Sequence, residues 1–95
     1  MTTATRPLFQ TGQLVSTPAA LDALGKAGQE PMSFIDRHRH GDWGVVDDED
    51  KQTNDWAVEQ GDRVLSAYLL SDETKIWVLT ESNRAVTTVL LPSDY

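Results

Sequence analysis

His40-Gly41-Asp42-Trp43-Gly44-Val45-Val46-Asp47-Asp48-Glu49-Asp50 divides the chain into two kinds of pattern. Ahead of it, apolar residues recur at helical spacing. Beyond the acidic segment that it opens, they alternate as in strands. Its Asp42-Trp43-Gly44 core reads as a turn, and a side chain as large as Trp43 is expected to anchor that turn on the hydrophobic core. Asp47 is suited to cap a helix, and Asp50 stands three residues on, in the capping-box place. Asp48, Glu49 and Asp50 then face the positive end of the helix dipole. This helix runs to about Gln60 and stops at Gly61. Its apolar side is thin, Trp56, Ala57 and Val58, so it is expected to lie on the surface.

Downstream, three segments are rich in β-formers: Arg63–Leu70, Lys75–Thr80 and Ala85–Leu91. Ser71–Thr74 and Glu81–Arg84 are of hairpin length, and Pro92 ends the last strand. An antiparallel meander follows. Both of its faces are apolar, since Val64, Tyr68, Ile76 and Val78 are offset from Leu65, Leu69, Trp77 and Leu79. A sheet wet on one side alternates more cleanly. Either helices and the N-terminal arm wrap both sides, or one face meets a second copy in a homodimer.

Upstream, Thr17-Pro18 starts a helix: the hydroxyl accepts from a free N–H, and proline at the first position loses no bond. Ala20, Leu21, Leu24 and Ala27 share its apolar face, and Gly28 stops it. Glu30-Pro31 starts a second helix by the same proline rule, with Met32, Phe34, Ile35 and His38 on its mixed apolar side and Gly41 at its end. Leu8–Val15 reads as a short strand broken by Gly12, or as an extended arm. Residues 1–7 are polar and without period, a flexible tail, and residues 8–95 make a single domain. The fold expected is therefore α+β, with three short helices on a three-stranded antiparallel meander and room for an added N-terminal strand.

The net charge of −7 is concentrated. Between residues 42 and 62, Asp42, Asp47, Asp48, Glu49, Asp50, Asp55, Glu59 and Asp62 face Lys51 alone. Such a field repels phosphate backbones and attracts basic surfaces, so direct nucleic-acid binding is not expected. No run reaches the length of a membrane helix, and the first ten residues lack the apolar core of a signal peptide. Cysteine is absent, which fits a cytoplasmic setting and removes disulfides and thiolate metal sites.

Chemical motifs are few. His38, His40 and Asp42 could hold zinc or supply a general base. Residues two apart on a helix point to different sides, however, and a histidine near a helix C-terminus more simply complements the dipole. Asp47–Asp50 lacks the alternating oxygen ligands of a calcium loop. No nucleophile motif or phosphate-cradling glycine loop occurs, and no cofactor is expected.

The segments Phe9-x-Thr11-Gly12-Gln13-Leu14-Val15-x-Thr17-Pro18-x-Ala20-Leu21-x-Ala23-Leu24, Arg37-His38-x-x-Gly41-Asp42-Trp43-Gly44, Leu65-Ser66-Ala67-Tyr68, Ile76–Glu81 and Thr87-Thr88-x-Leu90-Leu91-Pro92 carry a resemblance over nearly the whole chain. The chain resembles a family of small plasmid and mobile-element proteins, usually labelled plasmid-related or type I restriction subunit M. The second label fits poorly, because the chain has no methyltransferase cofactor loop and no Asn-Pro-Pro-Tyr-like motif. The resemblance implies a prokaryotic mobile-element setting and carries over no catalytic residue.

The leading expectation is an acidic cytoplasmic interaction protein. Asp42, Asp47, Asp48, Glu49, Asp50, Asp55 and Glu59 would meet a basic or nucleic-acid-handling protein partner, in anti-defence inhibition for instance. The rivals are a small metal-dependent enzyme using His38, His40 and Asp42, a homodimeric structural protein, and an acidic face that serves solubility alone.

Overall fold

In the computed structural model, which describes residues 6–95, each helix begins where its capping signal stands. Thr17 Oγ1 accepts the Ala20 N–H at 3.1 Å and opens α1 (Pro18–Ala27). Helix α2 (Pro31–Arg39) starts at its proline. Asp47 Oδ1 accepts the Asp50 N–H at 2.8 Å and opens α3 (Asp48–Gln60). Gly28 and Gly61 stop α1 and α3 in the left-handed conformation.

The strands are β1 (Gln13–Ser16), β2 (Val64–Leu69), β3 (Lys75–Thr80) and β4 (Val86–Leu90), followed by a 3-10 turn over Pro92–Asp94. Strands β2, β3 and β4 form the antiparallel meander. Strand β1 adds to β4 in parallel, with Gln13 opposite Val86 and Ser16 opposite Val89. The sheet order is β1-β4-β3-β2. The fold is α+β on a mixed four-stranded sheet.

The register sorts the side chains onto two faces. Ser66, Val78 and Val89 align across the strands, as do Val64, Thr80 and Thr87. On this face α1 and α2 contribute Ala20, Leu24, Phe34 and Ile35 to a core with Tyr68, Ile76, Val78 and Val89. Each large aliphatic side chain buried there contributes roughly 1.5–3 kcal/mol. A second cluster joins Phe9, Trp43, Ala57 and Val64, so Trp43 does anchor its loop. The opposite face carries Leu65, Ala67, Trp77, Leu79 and Leu90. There the ring of Tyr95 meets that of Trp77 edge-on at 5.9 Å. Leu21 and Met32, expected inward, are exposed; Ala23 packs in Leu21's stead.

The β2 edge is closed. Val45 N–H donates to the Ala67 carbonyl at 2.7 Å, and Ala67 N–H donates to the Trp43 carbonyl at 3.1 Å. Two residues back along β2, Asn54 Nδ2 donates to the Leu65 carbonyl at 2.8 Å, and Leu65 N–H donates to Asn54 Oδ1 at 3.2 Å. A side-chain amide of α3 thus imitates a neighbouring strand. Arg84, in the β3–β4 loop, holds the other end of this helix by donating to the carbonyls of Ala57 at 3.0 Å and Asp62 at 2.5 Å. A cation at a helix C-terminus also complements the dipole.

Candidate functional site

The acidic residues divide by task. Asp42 forms an ion pair with Arg37 at 2.7 Å and accepts the Gly44 N–H at 3.1 Å. The Arg37 hydrogen bond holds the Asp42 carboxyl below its ordinary range. Asp42 therefore braces its own loop, and its charge is matched by a neighbour. Asp47 caps α3, and Asp55 Oδ1 accepts the indole N–H of Trp43 at 3.0 Å. Asp48, Glu49, Asp50 and Glu59 are exposed along α3, with Lys51 reaching Asp48 at 4.0 Å. An exposed pair at that distance contributes little.

Helical spacing shows what these carboxylates surround. Asn54 and Ala57, three apart, are the buried residues of α3. Asp48, Gln52, Asp55 and Glu59, at offsets of four, three and four, run down an exposed side, and Glu49 and Trp56 stand beside them. Trp56 is 55% exposed. Its expected place on the apolar side of the helix is taken by Asn54, whose amide is committed to the β2 edge. The outward face of α3 thus presents an indole among carboxylates.

Beside α3 lies a cleft of about 340 Å³ on the second sheet face. Leu65, Trp77 and Leu79 form its floor, Asp50, Thr53 and Asn54 one wall, and Arg63 with Tyr95 the other. Arg63 Nη1 donates to the Tyr95 hydroxyl at 3.1 Å.

The histidines make no common site with Asp42. His38 is fully buried on the first sheet face, pointing inward rather than serving the end of α2. Its ring nitrogens lie 2.6 Å from Ser66 Oγ and 2.9 Å from Thr80 Oγ1. Thr80 Oγ1 is 2.6 Å from Thr87 Oγ1, and Thr87 donates to the Thr11 carbonyl at 2.8 Å. A carbonyl can only accept, so the chain of bonds has one direction. Thr87 uses its proton on Thr11 and receives one from Thr80; Thr80 then receives the proton on His38 Nε2, and Ser66 donates to Nδ1. His38 is the neutral Nε2–H tautomer with both nitrogens occupied. Burial, aided by the charge of Arg84, lowers its pKa to about 3. His40 Nδ1 lies outside this network, 2.7 Å from the Asp36 carbonyl. Among the described residues, no group of three or more His, Asp or Glu side chains is arranged to hold a metal ion.

Likewise, no helix among the described residues is long and apolar enough to cross a membrane. Comparison of the chain with protein-family models, curated proteins and solved structures finds no match.

Proposed function

We propose that this chain is a small interaction protein that docks on the basic surface of a nucleic-acid-handling protein through the outward face of α3. The observation that carries the reading is the exposure of Trp56 among Asp48, Glu49 and Glu59. Carboxylates alone would serve solubility; a large indole left in water among them does not. Tryptophan is a frequent anchor of protein interfaces, and its ring face accepts the Arg and Lys side chains that carboxylates attract. The negative field speeds encounter with a positive surface and disfavours direct contact with phosphates. Within the mobile-element setting that the sequence resemblance implies, such a protein would act as an anti-defence inhibitor, occupying a surface that a CRISPR or restriction component uses for nucleic acid.

The test is capture from nuclease-treated bacterial lysate by immobilised protein. Wild type is compared with an Asp48→Asn, Glu49→Gln, Glu59→Gln variant and with Trp56→Ala. A nucleic-acid-handling partner retained at low salt, released at high salt and lost in both variants supports the reading. Equal capture by all three forms refutes it.

A further inference from the structure

The cleft beside α3 sets two opposite charges over an apolar floor without letting them meet. Asp50 stands on one wall and Arg63 on the other, above Leu65, Trp77 and Leu79. Among the described residues neither takes part in an ion pair. Arg63 is held back: its Nη1 donates to the Tyr95 hydroxyl at 3.1 Å, and the Tyr95 ring rests edge-on against Trp77 at 5.9 Å. That bond leaves the Nε–Nη2 edge of the guanidinium, the fork that takes a carboxylate side-on. On the facing wall, Thr53 spends its hydroxyl proton on the Glu49 carbonyl at 3.0 Å, so its oxygen can only accept. The remaining polar group of that wall, the Asn54 amide, is spent on Leu65. One side of the cleft thus offers donors to an anion, and the other offers a carboxylate and a hydroxyl oxygen to a cation.

We infer that the cleft binds a short apolar peptide end to end, its terminal ammonium on Asp50 and Thr53 and its terminal carboxylate on Arg63. Charge complementarity selects this occupant. An anion would be drawn by Arg63 and repelled by Asp50, and a cation the reverse; a zwitterion satisfies both. Its charges must stand apart, because the walls that receive them lie on opposite sides of the floor, which favours a dipeptide over a single amino acid. Its middle must be apolar to cover Leu65 and Leu79, and an aromatic side chain at the carboxyl end gains the rings of Trp77 and Tyr95. At about 340 Å³ the cleft lies near the lower bound of ligand pockets, roughly 300–1,000 Å³, which suits so small a molecule. Asp48, Glu49, Trp56 and Glu59 do not line it, so the inference is independent of what the outward face of α3 docks on.

Titration of the full chain with leucyl-phenylalanine, followed by calorimetry and by amide and indole NMR shifts, tests it. One dipeptide per chain is expected, with the Leu65, Trp77 and Leu79 signals moving and those of Trp56 unchanged. Acetylating the amine of the dipeptide or amidating its carboxylate should each weaken binding roughly tenfold or more, and free phenylalanine should bind as weakly. The two ends read different walls. Arg63→Gln should bind the acid and the amide alike while still preferring the free amine. Asp50→Asn should show the converse, and Trp56→Ala should bind as wild type does. No shift at the cleft at millimolar concentration overturns the inference. So does equal binding of the capped dipeptides, or of free phenylalanine, by wild type; these comparisons decide the matter if a variant fails to fold.

Discussion

His38 Nε2 lies 2.9 Å from Thr80 Oγ1, and that bond places a neutral imidazole at the centre of a run of hydroxyls that ends on a backbone carbonyl. The ordinary histidine pKa of 6.5 falls to about 3 in this setting. Below pH 6.5 the unfolded chain takes up a proton that the folded chain refuses, so stability falls as pH drops from 6.5 towards 3. The expected slope from this one group approaches about 1.4 kcal/mol per pH unit. Above pH 6.5 it contributes no slope. Asp42 and Asp94 act in a lower window. Their folded pKa values are depressed, so the stability they add is present above their ordinary 3.8 and is lost as pH falls through the folded values. Urea unfolding of wild type and His38→Gln at a series of pH values separates the two. The variant should lose most of the slope between pH 6.5 and 4 and keep the acid limb below it.

Asn54→Ala should cost about 1–3 kcal/mol, because it strands the Leu65 N–H and carbonyl at a partly closed edge. Asn54→Asp should cost more. It keeps an acceptor for the N–H but sets a carboxylate against the carbonyl. Chemical denaturation measures both, and an Asp variant as stable as wild type would refute the pairing.

The two tryptophans near the acidic segment should respond oppositely. Trp43, buried and bonded to Asp55, is expected to cost about 3–5 kcal/mol on replacement by alanine. Trp56→Ala should shift stability by less than about 0.5 kcal/mol, since it removes an exposed side chain. Thermal melts of the two variants make the comparison.

Gly44 has φ +77°, and a Cβ there would overlap the Ala67 carbonyl and the Tyr68 ring. Gly44→Ala should therefore lower stability by about 1–3 kcal/mol or more, through backbone strain and through loss of the contact that closes the β2 edge. Its melting temperature should lie well below that of Gly25→Ala, where nothing stands within 4 Å of the added methyl.

Much of the fold could be read locally. Thr17-Pro18, Glu30-Pro31 and Asp47 open helices, Gly28 and Gly61 close them, and the two-residue alternation after Arg63 marks the meander and its two apolar faces. The parallel pairing of β1 with β4 joins residues from opposite ends of the chain, and no local pattern encodes that partnership. Hydropathy ranks an indole above an amide and so puts Trp56 inward, whereas the open backbone of Leu65 makes Asn54 the better inward residue. His38 stands on the apolar side of α2, as its spacing predicts, and its hydroxyl partners are legible too. Ser66, Thr80 and Thr87 all interrupt the apolar face that α2 covers, and polar residues recurring on a buried face need a partner there. Of the acidic residues read as one surface, Asp42, Asp47 and Asp55 are committed to holding the loop and helix in place, which distances along the sequence do not reveal.

The grip of Arg84 on the carbonyls of Ala57 and Asp62 ties the tail of α3 to the last hairpin, and local opening of one is expected to loosen the other. Amide exchange in two segments far apart in the chain should therefore be coupled. A ligand that stiffens the outward side of the helix would quiet the β3–β4 loop as well, although it never touches it.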